Sequence, residues 1–218
     1  MRDVSLLVIT DAGLARPRSV LEVVRQAVEA GAPAIQLRDK TAGARALAEA
    51  ARALLVVTRP AGALLMVNDR LDVALAVGAD GVHIGPDDIP VAAARSAVRD
   101  ARLHGVIPEG FVVGTSTDDP EEALRLVGEG ADYIGCGTVY PTTSKPDAGE
   151  VIGLDGLRRV VAAVDVPVFG IGGVSAAGSA EIARETGASG IAVIGAVMSA
   201  PDPGAAVRAL MEPWLRRN

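Results

Sequence analysis

Aromatic side chains are scarce in this sequence: two Phe, two Tyr and one Trp among 218 residues. A core that cannot be built from rings must come from Val, Leu, Ile, Ala and Gly, which favours closely packed helices and strands. The same scarcity, with a net charge of −6 and no basic run, removes the stacking platforms and the electrostatic footprint of a nucleic-acid binder. The single cysteine, Cys136, excludes an intrachain disulfide and any multi-Cys metal site, and reads as a packing residue in a reducing compartment. No apolar run approaches the ~20 residues that cross a bilayer, and the start "MRDVSLLVITD" lacks the length and cleavage pattern of a signal peptide. The expectation is a cytoplasmic protein without a membrane or nucleic-acid partner; a homodimer is left open.

Lysine is the scarcest charged residue. Of 21 basic residues only Lys40 and Lys145 are lysines, so where these two fall bears on function.

Four segments share a Gly-Ala pair followed by a short apolar run: "GAPAIQL" from Gly31, "GADGVHI" from Gly78, "GADYIGC" from Gly130 and "GASGIAV" from Gly187. Glycine suits the left-handed position just past a helix end, and the run beyond suits a strand buried on both faces. Four more strand-like runs lie between them, "VSLLVIT" from Val4, "LLMVN" from Leu64, "FVVGT" from Phe111 and "VPVFGI" from Val166. Helical patterns separate the runs. Over 18–30, Val20, Val23, Val24, Ala27 and Val28 share one face, and in "DDPEEAL" Asp119 suits an N-cap and Pro120 the first helical position. Eight strands alternating with helices predict an α/β fold, one (β/α)8 barrel spanning residues 1–218 as a single domain. The rival is a doubly wound open sheet, but "ITDAGLARP" stands where its G-x-G-x-x-G would be.

A barrel of this kind does its chemistry at the C-terminal ends of the strands. Polar residues gather there: Gln36, Arg38 and Lys40 on one face of strand 2, Asn68, Asp69 and Arg70 after strand 3, Asp87 and Asp88 after strand 4, Thr115 and Ser116 after strand 5, and "YPTTSKP" with Lys145 after strand 6. "GIGG" (170–173) ahead of a helix start at Ser175, with Gly195 after strand 8, suits a phosphate held by backbone N–H groups. Asp69 and Asp88 on neighbouring strands, beside Arg38, Lys40 and Lys145, suit Mg²⁺, which takes one or two carboxylates and completes its shell with water and phosphate oxygens. His83 lies mid-strand and reads as a hydrogen-bonded interior histidine, His104 as a surface one. Neither Cys136 nor Ser116 has the surroundings of an activated nucleophile.

Taken in order, "LLVITD", "QLRDK", "VNDR", "GADGVHIGPDD", "GTST", "YPTTSK" and "GIGG" resemble the thiamine-phosphate synthase family, from strand 1 through strand 8. The resemblance implies a transferase that joins a pyrimidine diphosphate to a thiazole phosphate and releases pyrophosphate. It assigns Gln36, Leu37, Arg38, Asp39, Lys40, Asn68, Ser116 and Lys145 to the pyrimidine diphosphate. Asp69 and Asp88 would bind Mg²⁺, and Thr142, Thr143, Ser144, Gly173, Ile194 and Gly195 would hold the thiazole phosphate. Arg38, Lys40 and Lys145 would carry catalysis. Two positions depart from the family pattern: Thr117-Asp118 where relatives often carry a histidine, and Gly195 where a serine is common. An isomerase on the same barrel, or a non-catalytic phosphate sensor, are the alternatives.

Overall fold

The computed structural model describes residues 1, 3–107, 110–142, 144 and 149–215. All eight expected strands form: β1 (Leu6–Ile9), β2 (Ala34–Leu37), β3 (Leu64–Asn68), β4 (Gly81–Ile84), β5 (Val112–Ser116), β6 (Tyr133–Cys136), β7 (Val168–Ile171) and β8 (Gly190–Val193). Each pairs in parallel with the next, and β8 returns to β1, so the sheet closes into a barrel.

Helices cover the outside. After β1 come α1 (Ala12–Ala15) and α2 (Val20–Glu29), and after β2 comes α3 (Ala44–Thr58). Then α4 (Leu71–Val77), α5 (Val91–Leu103), α6 (Pro120–Gly128), α7 (Gly153–Ala163) and α8 (Ala176–Glu185) follow β3 to β7 in turn. After β8 come a short α9 (Gly195–Met198) and the long α10 (Pro203–Leu215). Among the described residues no helix is long and apolar enough to cross a membrane.

The local signals act as their chemistry requires. Gly31, Gly78, Gly130 and Gly187 all have positive φ, which lets each chain end leave a helix and enter a strand. Asp119 caps α6 by accepting from the Glu122 N–H, and Pro120 follows it. In the two "GAD" entries the Asp also ties neighbouring strands together: Asp80 Oδ2 accepts from Leu65 N at 2.8 Å, and Asp132 Oδ2 from Val113 N at 2.7 Å. Some strands start later than the apolar runs. β7 begins at Val168 because Pro167 has no N–H for the ladder, and only its carbonyl is used, by Ile134.

Candidate active site

The strand ends enclose a cavity of about 690 Å³ at the C-terminal mouth of the barrel. Its floor is Leu7, Tyr133, Phe169 and Ala192, which point inward from β1, β6, β7 and β8. Gln36, Arg38 and Lys40 line one wall, so the alternation of β2 continues past its last paired residue. Thr10 fixes the middle of that wall, its Oγ1 accepting from Arg38 N at 2.9 Å. Gln36 is 2% exposed and adjoins Tyr133, and its amide Nε2 has no hydrogen-bond partner among the described residues.

Two residues assigned to the substrate by resemblance face elsewhere. Leu37 and Asp39 border a smaller apolar cavity between β2, α2 and α3. The Asp39 carboxylate accepts from the N–H groups of Thr41 and Ala42, which holds the turn after β2 and keeps its pKa low. Strand parity turns both side chains away from the mouth.

The opposite pair is brought together. Asn68 faces inward, so simple alternation would send Asp69 out, yet both line the cavity. Asp69 takes a left-handed backbone, φ 63°, which returns its carboxylate to the mouth, with its N–H donating to the His83 carbonyl at 2.8 Å. There it meets Asp88, whose Oδ2 also accepts from Gly85 N at 2.8 Å. Burial first, and then the Asp88 carboxylate, raise the Asp69 pKa to about 6, while Lys40 and Arg38 oppose the rise.

This donor set fits Mg²⁺. It offers hard oxygens with mutual repulsion that a divalent ion would relieve, and nearby cations to share a phosphate. Among the described residues no group of three or more His, Cys, Asp or Glu forms a protein-only metal cage.

On the far side, Thr142, Ser144, Gly173, Ile194 and Gly195 all border the same cavity. Gly195 and Ser144 are close: a β-carbon on Gly195 would lie 3.0 Å from Ser144 Oγ. The helix start predicted at Ser175 is present, its side chain accepting from Gly178 N. Thr143 and Lys145 lie outside the described residues.

Sequence reasoning missed one feature. His83 does sit inside the barrel, but it joins Tyr133 to Ser116, with Nδ1 2.9 Å from Tyr133 Oη and Nε2 2.8 Å from Ser116 Oγ. The signal was there in part: His83 and Tyr133 both fall on inward positions of their strands, where an apolar residue would be the default. Cys136 is buried and its thiol is pushed up to about 12, first by burial and then by Asp118, so it is inert, as its surroundings in sequence predict.

A closed parallel barrel with cations, paired carboxylates and glycine turns at one mouth defines a (β/α)8-barrel enzyme. The chain belongs to the thiamine monophosphate synthase family, whose sequence profile matches residues 6–197. It is 48% identical to the thiamine-phosphate synthase of Roseiflexus castenholzii, over 96% of this chain and 88% of that one. The thiamine-phosphate synthase of Chloroflexus aurantiacus is 49% identical, over 95% and 91%. Among solved structures, thiamine phosphate pyrophosphorylase from Pyrococcus furiosus superposes with a TM-score of 0.86 at 42% identity, covering 99% of this chain and 98% of that one. None of these relatives supports the isomerase or the sensor alternative.

Proposed function

We propose that this chain is a thiamine-phosphate synthase acting as one domain in the cytoplasm. It condenses 4-amino-5-hydroxymethyl-2-methylpyrimidine diphosphate with 4-methyl-5-(2-phosphooxyethyl)thiazole to give thiamine monophosphate and pyrophosphate, or with the carboxylated form of that thiazole to give the same products and carbon dioxide. The observation that carries this is the gathering of Gln36, Arg38, Lys40, Asn68 and Ser116 on one side of a single cavity, and of Thr142, Ser144, Gly173, Ile194 and Gly195 on the other.

The reaction breaks the bond between the pyrimidinylmethyl carbon and the diphosphate oxygen. Negative charge accumulates on the leaving group, and Arg38 and Lys40, with Lys145 read from the sequence, stabilise it without forming a bond to substrate. Mg²⁺ bound by Asp69 and Asp88 would supply further charge neutralisation at the same oxygens. The thiazole nitrogen brings its own lone pair, so the protein needs no nucleophile or strong base. Its part is to hold the two rings facing each other and to keep water from the electron-poor carbon.

Purified protein with both substrates and Mg²⁺ should release pyrophosphate in step with thiamine monophosphate. Thiazole isomerisation without coupling, or binding without turnover, would overturn this reading.

A further inference from the structure

The contacts of His83 have a direction. Tyr133 is fully buried and adjoins Gln36, whose Nε2 is unpaired, and the hydrogen bond that its hydroxyl makes among the described residues is to His83. The Tyr133 proton therefore has one acceptor among the described residues, Nδ1 of His83 at 2.9 Å. An Nδ1 that accepts leaves the imidazole proton on Nε2, and Nε2 lies 2.8 Å from Ser116 Oγ. Ser116 then receives a hydrogen bond from behind, and its own O–H is left to donate into the cavity that it lines.

The barrel makes room for this line of contacts. Tyr133 on β6 reaches His83 on β4 by lying across β5, where Gly114 has no side chain; a β-carbon there would lie 2.0 Å from the Tyr133 ring. Phe169 holds the ring from the other side, edge to face, with centroids 5.5 Å apart. Gly135 likewise leaves space around the Ser116–His83 contact, since a β-carbon there would sit 3.1 Å from Ser116 Oγ.

We infer that Tyr133 and His83 are positioning residues: the chain Tyr133 Oη–H to His83 Nδ1 and His83 Nε2–H to Ser116 Oγ fixes the Ser116 hydroxyl as a donor to an acceptor atom of the bound pyrimidine diphosphate. This rests on reading Ser116 as a substrate contact. Without the chain Ser116 could turn its proton toward the imidazole and offer the substrate only lone pairs. The device acts on substrate orientation, because the proposed coupling needs no proton transfer at the reacting carbon or nitrogen.

The chain has only two histidines, so long-range ¹H–¹⁵N correlation of the full-length protein at neutral pH can test the direction, with His104→Gln assigning the exposed one. The expected result is the Nε2–H tautomer for His83, shifting toward a mixture in Tyr133→Phe, where Nδ1 loses its donor. An Nδ1–H tautomer, or a doubly protonated ring, would overturn the inference. Kinetics test the consequence. Tyr133→Phe should lower kcat/KM for the pyrimidine diphosphate about tenfold, the effect of losing one oriented hydrogen bond, and leave KM for the thiazole phosphate unchanged. In a Ser116→Ala background the same change should cost nothing further. Equal losses in both backgrounds would mean that Tyr133 acts by packing and would overturn the positioning role. Full activity in Ser116→Ala with the Nε2–H tautomer intact would instead remove Ser116 from the substrate contacts, a failure distinct from that of the hydrogen-bond direction.

Discussion

The carboxylates of Asp69 and Asp88 meet at the barrel mouth because Asp69 departs from strand geometry with a φ of 63°. A left-handed backbone costs most side chains about 1–2 kcal/mol, and Asp and Asn tolerate it best. Asp69→Asn should therefore keep the fold while removing one hard anionic ligand. Its turnover should lose its Mg²⁺ dependence and fall at least a hundredfold, measured as pyrophosphate release across a Mg²⁺ titration. Unchanged dependence on Mg²⁺ would remove Asp69 from the proposed site.

The same pair sets a pH dependence. The Asp69 pKa is raised from its ordinary 3.8 to about 6, mainly by burial and next by Asp88. Folding thus favours the protonated carboxyl. The stability this provides is complete below pH 3.8 and is lost as pH rises through about 6. With chelator present, Asp69→Asn should gain in melting temperature over the original chain between those pH values and stay ahead above them. Adding Mg²⁺ at pH 7.5 should raise the melting temperature of the original chain but not of the variant. Parallel pH curves for the two proteins would count against a raised pKa.

The architecture was readable because each helix end and strand start carries its own chemistry. The glycines at 31, 78, 130 and 187, the Asp119 cap and the β2 alternation all act as expected. What escaped reading depends on geometry with no local sequence signature. Strand parity explains why Leu37 and Asp39, adjacent to true mouth residues, turn away. The left-handed turn at Asp69 breaks that same parity in the other direction. The Tyr133–His83 contact joins residues 50 positions apart across an intervening strand, so it is visible only once the barrel is closed.

Asp132 offers a test of stability apart from the mouth. Its Oδ2 accepts from Val113 N at 2.7 Å and from the Arg95 guanidinium at 2.5 Å, tying β5 and α5 to the entry of β6. Asp132→Ala leaves a strand N–H unpaired and should cost about 1–3 kcal/mol. Urea unfolding would register this as a lower midpoint with an unchanged slope, and kcat should stay within twofold. A large loss of activity without a loss of stability would contradict this structural role.

The two lysines predict a contrast in chemistry rather than charge. In a chain with 19 Arg and two Lys, codon preference alone would let Arg stand in for either lysine. A compact ammonium fits a crowded phosphate where a planar fork does not. Lys145→Arg should therefore lose at least tenfold in kcat, and Lys40→Met about a hundredfold or more, the range seen when one donor to developing charge is removed. Wild-type rates in Lys145→Arg would return the rarity of lysine to codon usage.

Gly195 is one of the two departures from the family pattern, and its surroundings say what a serine would do there. Its φ is not positive, so a side chain brings no backbone strain. The nearest atom to a new β-carbon is Ser144 Oγ at 3.0 Å, the movable end of a small side chain, followed by Leu14 Cδ1 and Ser199 Oγ at 3.9 Å. Gly195→Ser should fold with a melting temperature within a few degrees of the original. If the thiazole phosphate lies between Gly173 and Gly195, held by backbone N–H groups, the added hydroxyl supplies one more donor. KM for the thiazole phosphate should then fall about two- to tenfold, the usual net effect of one hydrogen bond, with kcat within twofold and KM for the pyrimidine diphosphate unchanged. A higher KM for the thiazole phosphate would mean instead that the phosphate occupies the space above Gly195, so that the bare glycine is itself part of the cradle. No change in either KM would move the phosphate away from α9.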